Sequence, residues 1–259
     1  MKFRFIGVMA LAGMAAACTS AGTDIPVRYG ELSVALHGEP SVDVLTKAAM
    51  TLDPASDEAK EYIVRIYDSE GDEKYEASLF DFKPQTLAFG TYSVTAENCS
   101  EAEAENGPGK KRLYGCCEEV VLSEDNLSQT AIIGCTVANA LVSVVFDSSV
   151  SGRLEGLKVV LEGGTERNEP VVIEETPAGN VTETWFNPST LSYTISGTYD
   201  LSGTPKPISI TGSRELSARD NVKLVVRLNL ENGQLAPTVS VDAEMDDPTE
   251  IPGEFNPYE

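Results

Sequence analysis

Apolar and polar residues alternate with a period of two along much of the chain from residue 31 onward, the spacing of strands with one buried and one wet face. "ELSVALHG" sets Leu32, Val34 and Leu36 on one side, and "YIVRIYD" does the same with Tyr62, Val64 and Ile66. "TLAFGTYSVTA" carries Leu87 and Phe89, then Tyr92, Val94 and Ala96 after Gly90. The alternation returns at Ala131, Ile133, Cys135 and Val137, at Leu157, Val159 and Leu161, and at Val222, Leu224, Val226, Leu228 and Leu230. Turn chemistry separates the runs: "DSEGD" at 68–72, "EGGTERNEP" at 162–170, "SGTPKP" at 202–207 and "ENGQ" at 231–234. One short segment, "DPASDEAKEY", reads as helix, with Asp53 as N-cap and Pro54 at the first helical position.

Short strands at this spacing define an all-β protein, and antiparallel hairpins packed into a sandwich accommodate them. The strands are too many for one ordinary sandwich, so the pattern predicts two tandem antiparallel β-sandwiches. The join falls near "TVANALVSVVF", where an apolar run passes through Asn139 and a second strand pattern begins. The expected units are 31–138 and 139–245, preceded by a signal segment 1–17 and a flexible linker 18–30. The end, 246–259, is acidic; with its prolines it reads as flexible or edge-lying.

The first residues resemble a lipoprotein signal. Lys2 and Arg4 precede an uncharged apolar run from Phe5 to Ala17, which is too short for the roughly 20 residues a spanning helix needs. Ala15, Ala16 and Ala17 then lead to Cys18 and polar residues, an order similar to a bacterial lipobox, although Ala15 stands where a larger aliphatic residue is common. The resemblance implies that Cys18 is acylated and becomes the mature N-terminus. Thr19 after it favours the outer membrane, while "CTSAGTDIPVRYGE" lacks an acidic run resembling a surface-export signal, so either leaflet stays open. The 19 basic and 41 acidic residues make a surface that repels nucleic acid, which excludes it as a partner.

Beyond Cys18 four cysteines remain, Cys99, Cys116, Cys117 and Cys135, and an oxidising envelope invites pairing among them. Cys99 and the Cys116–Cys117 pair flank the polar loop "SEAEAENGPGKKRLYG", so a bridge from Cys99 to one of the pair would staple it. Neighbouring strand residues face opposite ways, so only one of Cys116 and Cys117 suits that bridge. Cys135, inside "AIIGCTVA", reads as a small buried hydrophobe.

Signs of chemistry are scarce. No GxSxG, HExxH or Gly-rich phosphate loop occurs, and His37 is the one histidine, a surface or rim position in an alternating strand; neither an enzyme nor a metal or cofactor is expected. Abundant carboxylates leave a glycosidase pair without specific support. The aromatic cluster in "ETWFNPSTLSY", above all Trp185 and Tyr193, offers a stacking platform for a glycan or a partner protein, against the plain alternative that Trp185 packs in a core.

The order of lipobox, first strand, "TKA" at 46–48, "LAFGTYSVTA" at 87–96, "GCTVANALVSVVF" at 134–146 and "TVSVDAE" before the acidic end resembles the fimbrillin-like surface lipoproteins of Bacteroidales, a family described as a domain of unknown function. The resemblance covers most of the mature chain. It implies two transthyretin-like sandwiches at the cell surface and a role in adhesion, as a pilus (fimbrium) subunit or tip, with other pilus subunits or host and bacterial surface proteins and glycans as partners. It also implies a route of assembly, in which a trypsin-like cut removes the first strand and a strand of another subunit takes its place. The basic residues near that strand are Arg28 and Lys47: a cut after Lys47 releases it, whereas one after Arg28 frees the lipid and keeps the strand. "PTVSVDAEM", with Val239 and Val241, is a possible donor, although it reads better as a native strand of the second sandwich. The alternative function is a glycan-binding outer-membrane lipoprotein of a nutrient-uptake system.

Overall fold

The computed structural model of the chain describes residues 27–38, 50–177, 180–200, 205–227, 229–231, 234–236, 238–243 and 247–252. Cys18 and Lys47 lie outside these residues, as does the whole signal segment. The alternating runs become strands. In the first half these are β1 (Tyr29–Gly38), β2 (Met50–Thr51), β3 (Ile63–Asp68), β4 (Glu73–Ser78), β5 (Gln85–Ala88), β6 (Gly90–Glu97), β7 (Leu113–Leu122) and β8 (Ser128–Val137). They follow the order β2-β1-β8-β7-β6-β3-β4, with β5 also on β1. The path turns a corner where β7 and β8 share only the pairs Leu113 with Val137 and Tyr114 with Thr136. Leu32, Leu36, Val64, Ile66, Val94, Ala96, Ile133 and Cys135 meet in one buried core.

The second half builds its own core around Phe146, Leu161, Phe186, Leu191, Ile195 and Leu224. One sheet contains β11 (Val171–Glu174), β10 (Leu154–Glu162), β13 (Thr190–Asp200) and β14 (Pro205–Glu215) in that order. The other contains β12 (Val181–Phe186), β9 (Ala140–Phe146) and β15 (Asn221–Val226). Fully burying a side chain of this size is worth about 1.5–3 kcal/mol, so each apolar set is a sizeable driving force of its own. Two hairpins follow: β16 (Asn229–Glu231) with β17 (Gln234–Ala236), and β18 (Thr238–Ala243) with β19 (Asp247–Pro252). Part of the acidic end is therefore strand.

Three local expectations need correction. The sandwiches are not purely antiparallel: β1 runs parallel to β8, and β9 runs parallel to β15. Alternation reports which face of a strand is buried and is silent about its direction. The helix expected over residues 53–62 shrinks to a single 3-10 turn, Glu58–Lys60, because Asp53 Oδ1 accepts from Ala55 N and holds the preceding residues in a turn. So short a segment has too few hydrogen bonds to offset helix nucleation. A true helical turn, α1 (Glu101–Ala104), lies instead in the polar loop after Cys99. It carries a reciprocal cap: the Ser100 hydroxyl accepts from Glu103 N, and Ser100 N donates to the Glu103 carboxylate. Donation to that carboxylate by Ser100 N, and also by the Ser100 hydroxyl, lowers the pKa of Glu103.

Candidate functional site: the first strand and the junction

The first strand is an interior member of its sheet. Glu31–Gly38 of β1 lie opposite Ser128–Cys135 of β8, while Tyr29–Leu32 pair on the other side with Gln85–Ala88 of β5. Its alternation puts Leu32 and Leu36 into the core at 0% and 2% exposure, so β1 supplies backbone pairing to β8, β5 and, at His37 and Gly38, β2, and apolar filling to the interior. His37, in the same strand, is half-buried. Arg28, immediately before β1, is exposed, forms an ion pair with Glu124 and accepts from Phe89 N through its carbonyl. Val27, Tyr29, Phe89 and Leu127 line the open depression of about 530 Å³ around it.

The expected cysteine staple is not formed. All four described cysteines are free thiols. Asn98 N donates to Leu113 O, which sets Cys99 level with Arg112, and its sulfur lies 4.0 Å from the Lys111 carbonyl oxygen. Cys116 pairs with Thr95 and Cys117 with Val94, four and five residues further along the ladder. At about 3.3 Å per residue that is roughly 13 Å or more, and a disulfide spans only about 4.4–6.8 Å between Cα atoms. Cys116 and Cys117 do face opposite ways, one exposed and one packed on the core. Cys135 is buried, as a small hydrophobe in that run should be.

The aromatic pair does not form a platform. Tyr193 is buried, its phenol occupying the space above Gly212 on the neighbouring strand. Trp185 is half-buried on β12, between Thr184 and Phe186, which are 1% and 0% exposed and point the other way into the core. Its backbone N–H donates to Pro108 O in the loop of the first sandwich, and Gly109 comes so near that a Cβ there would sit 2.9 Å from the Trp185 Cβ. Trp185 thus belongs neither to the core nor to an open surface; it sits where the two sandwiches meet.

That junction centres on groups the alternation could not reveal. Glu105, 3% exposed, lies just past α1 and reaches into the second sandwich. One carboxylate oxygen accepts from Asn187 N at 2.6 Å, and the other from Glu166 N at 2.7 Å and Thr165 N at 3.1 Å. Gly164, at φ +90°, leaves the space this carboxylate occupies. Asn187 Nδ2 donates back to Glu101 O and to Thr165 Oγ1. Arg167 donates across the boundary to Gly107 O and within its own sandwich to Trp185 O, over the Phe186 ring, and burial lowers its pKa, with Glu105 opposing.

Asn139, wholly buried between β8 and β9, ties the connection itself. Its amide donates to Lys110 O and accepts from Arg112 N, while its carbonyl accepts from Arg219 N. The S-x-x-E spacing of Ser100 and Glu103 is a legible signal for α1. Nothing around Glu105 separates it from the many surface acids of this chain.

Among the described residues no group of three or more His, Cys, Asp or Glu side chains is placed to hold a metal ion. No helix among them is long and apolar enough to cross a membrane. What the molecule offers is a pair of sandwiches in one chain, with an interior first strand and a polar seam. The chain belongs to the family described as Domain of unknown function (DUF4493), which it matches over residues 29–252, from the first residue of β1 to the last of β19. No curated protein matches it. Among solved structures it is similar to a candidate cell adhesion protein from Bacteroides eggerthii, at 13% identity and TM-score 0.49, covering 90% of this chain and 98% of the other. A candidate adhesin from Bacteroides ovatus gives 10% identity and TM-score 0.49 over 89% and 96% of the two chains. A fimbrial assembly protein from Parabacteroides distasonis gives 8% identity and TM-score 0.41 over 88% and 99%.

Proposed function

We propose that this protein is a non-enzymatic cell-surface adhesion component, a fimbrillin-like pilus subunit or tip, held at the outer membrane through acylated Cys18 and joined to its neighbours by exchange of β1. The observation that carries this reading is the place of β1 between β8 and β5. Excising it would strip one edge from each neighbour and uncover the pockets of Leu32 and Leu36. At about 1.5–3 kcal/mol per buried leucine, plus the lost ladder, a cut molecule gains strongly from accepting a substitute strand. The basic residues Arg28 and Lys47 bracket β1 in sequence. The scheme calls for a donor strand, and the segment around Val239 and Val241 is a candidate for it, although it is already paired within its own chain as β18 with β19. The alternative of a glycan-binding lipoprotein draws less support, since Tyr193 is buried and Trp185 is engaged at the junction.

Mass spectrometry of residues 19–259 before and after limited trypsin, followed by size exclusion, tests it. A cut after Lys47 with conversion to a ladder of oligomers is the expected result. A chain that resists cutting there, or one that is cut and stays monomeric, overturns strand exchange and leaves an anchored binding module.

A further inference from the structure

The side-chain bonds across the junction are unequally distributed. Most of them run between residues 101–107 of the first sandwich and residues 165–167 and 187 of the second. At their middle is one carboxylate that fills a ring of backbone N–H groups. The ring belongs wholly to the second sandwich and the carboxylate wholly to the first.

We propose that Glu105 is a latch: its carboxylate, seated among the Thr165, Glu166 and Asn187 N–H groups, holds the two sandwiches as one rigid body. Three properties make it suited to this. Hydrogen bonds to a charged acceptor are roughly twice as strong as neutral ones, and the acceptor here is only 3% exposed. The donors are main-chain N–H groups of two loops, the one after β10 and the one after β12, which the bond from Gly164 N to Ser189 Oγ ties together. And the seat has no room for another side chain: Gly164 closes onto the carboxylate, while Gly109 at φ +76° lets the same loop lie against Trp185.

The covalent connection through Asn139 is short and buried, but a two-residue link alone leaves the second sandwich free to pivot; the latch supplies the second point of attachment needed to remove that freedom. For a chain carrying load between its two ends, a pivot removed is force transmitted. The latch itself is independent of whether β1 is exchanged.

The test compares the full mature chain with its E105A and E105Q variants, by amide hydrogen exchange and by small-angle scattering. With the latch removed, the Thr165, Glu166 and Asn187 amides should exchange about tenfold faster or more, while Val64 and Val142 in the two cores keep their protection. The scattering should show a broader spread of interdomain distances. Should E105A fail to fold, E105Q is decisive: it keeps the side-chain length but replaces one acceptor oxygen by an NH₂ donor, so either the Asn187 amide or the Thr165 and Glu166 amides should lose protection. If those amides stay protected in a folded variant, or if they are released while the scattering is unchanged, Glu105 is not what holds the sandwiches together.

Discussion

Tyr193 stands opposite Gly212 across the β13–β14 ladder, and its phenol fills the space a side chain at 212 would need. The glycine is there to be covered. Burial, which also raises the pKa of Tyr193, leaves the ring little room to retreat. G212A should therefore destabilise the protein by about 1–3 kcal/mol, the usual cost of overpacking. Trimming the ring in the same background, as G212A with Y193L, should recover part of that loss. Urea midpoints of the three proteins check this; a G212A change below about 0.5 kcal/mol would show that the ring moves aside freely.

Glu97 bridges two guanidinium groups. Its Oε1 lies 2.6 Å from Arg65 Nη1 and its Oε2 lies 2.9 Å from Arg112 Nη2, with the Glu97 and Arg112 side chains each only 11% exposed. Removing the carboxylate leaves Arg112 with Glu101 and Arg65 with Glu76, both more exposed partners, so E97Q should cost about 1–3 kcal/mol. Glu76 makes an equally short bond to Arg65 at 2.6 Å, yet its side chain is 49% exposed, and E76Q should cost less than about 1 kcal/mol. Equal losses in the two variants would mean that burial does not set the worth of these pairs.

Burial pushes the Cys135 thiol from 9.0 up to about 11. Between those values the unfolded chain has already released the proton and the folded chain still holds it. The unfolded state then binds fewer protons, so stability falls as pH rises, by roughly 2–3 kcal/mol once pH reaches about 11. Tyr62, also pushed up to about 12, adds a loss in the same direction at higher pH. C135A should start from a lower stability and lose less of it between pH 8 and 10 in urea titrations. The same environments order the thiols: at pH 8 iodoacetamide should label exposed Cys116 first and leave Cys135 unlabelled, which intact-mass spectra report.

Leu36, fully buried at the end of β1, should be the handle on that strand's attachment. L36A is expected to cost about 2–5 kcal/mol, as buried leucine truncations do. A loss below about 1 kcal/mol would mean that β1 contributes little to the first core, and would weaken the case for strand exchange with it.

Much of the fold was legible because burial in a sheet is periodic. Tyr62, Val64 and Ile66, or Leu157, Val159 and Leu161, announce a strand and its inner face within a few residues. Turns were equally local: "DSEGD" becomes the β3–β4 turn because Asp68 Oδ1 accepts from Glu70 N and Asp72 N while Gly71 takes φ +86°. The break at Phe89 shows in "TLAFGTYSVTA" only as a change of phase, Leu87 and Phe89 giving way to Tyr92, Val94 and Ala96 after Gly90; that β5 joins β1 while β6 joins β3 and β7 is a choice made by partners far away in sequence.

The sequence by itself determined an all-β chain, the inner faces of its principal strands, the buried character of Cys135 and the opposed faces of Cys116 and Cys117. Each depends on a residue and its immediate neighbours. Only the tertiary structure decided that first and last strands run parallel in each sandwich, that Cys99 lies beyond reach of the cysteine pair, and that Trp185 faces the seam. It alone singled out Glu105 from the chain's 41 acidic residues. A carboxylate becomes a structural anchor through the N–H groups that surround it, and those come from residues 60 to 82 positions away, a distance no local pattern encodes.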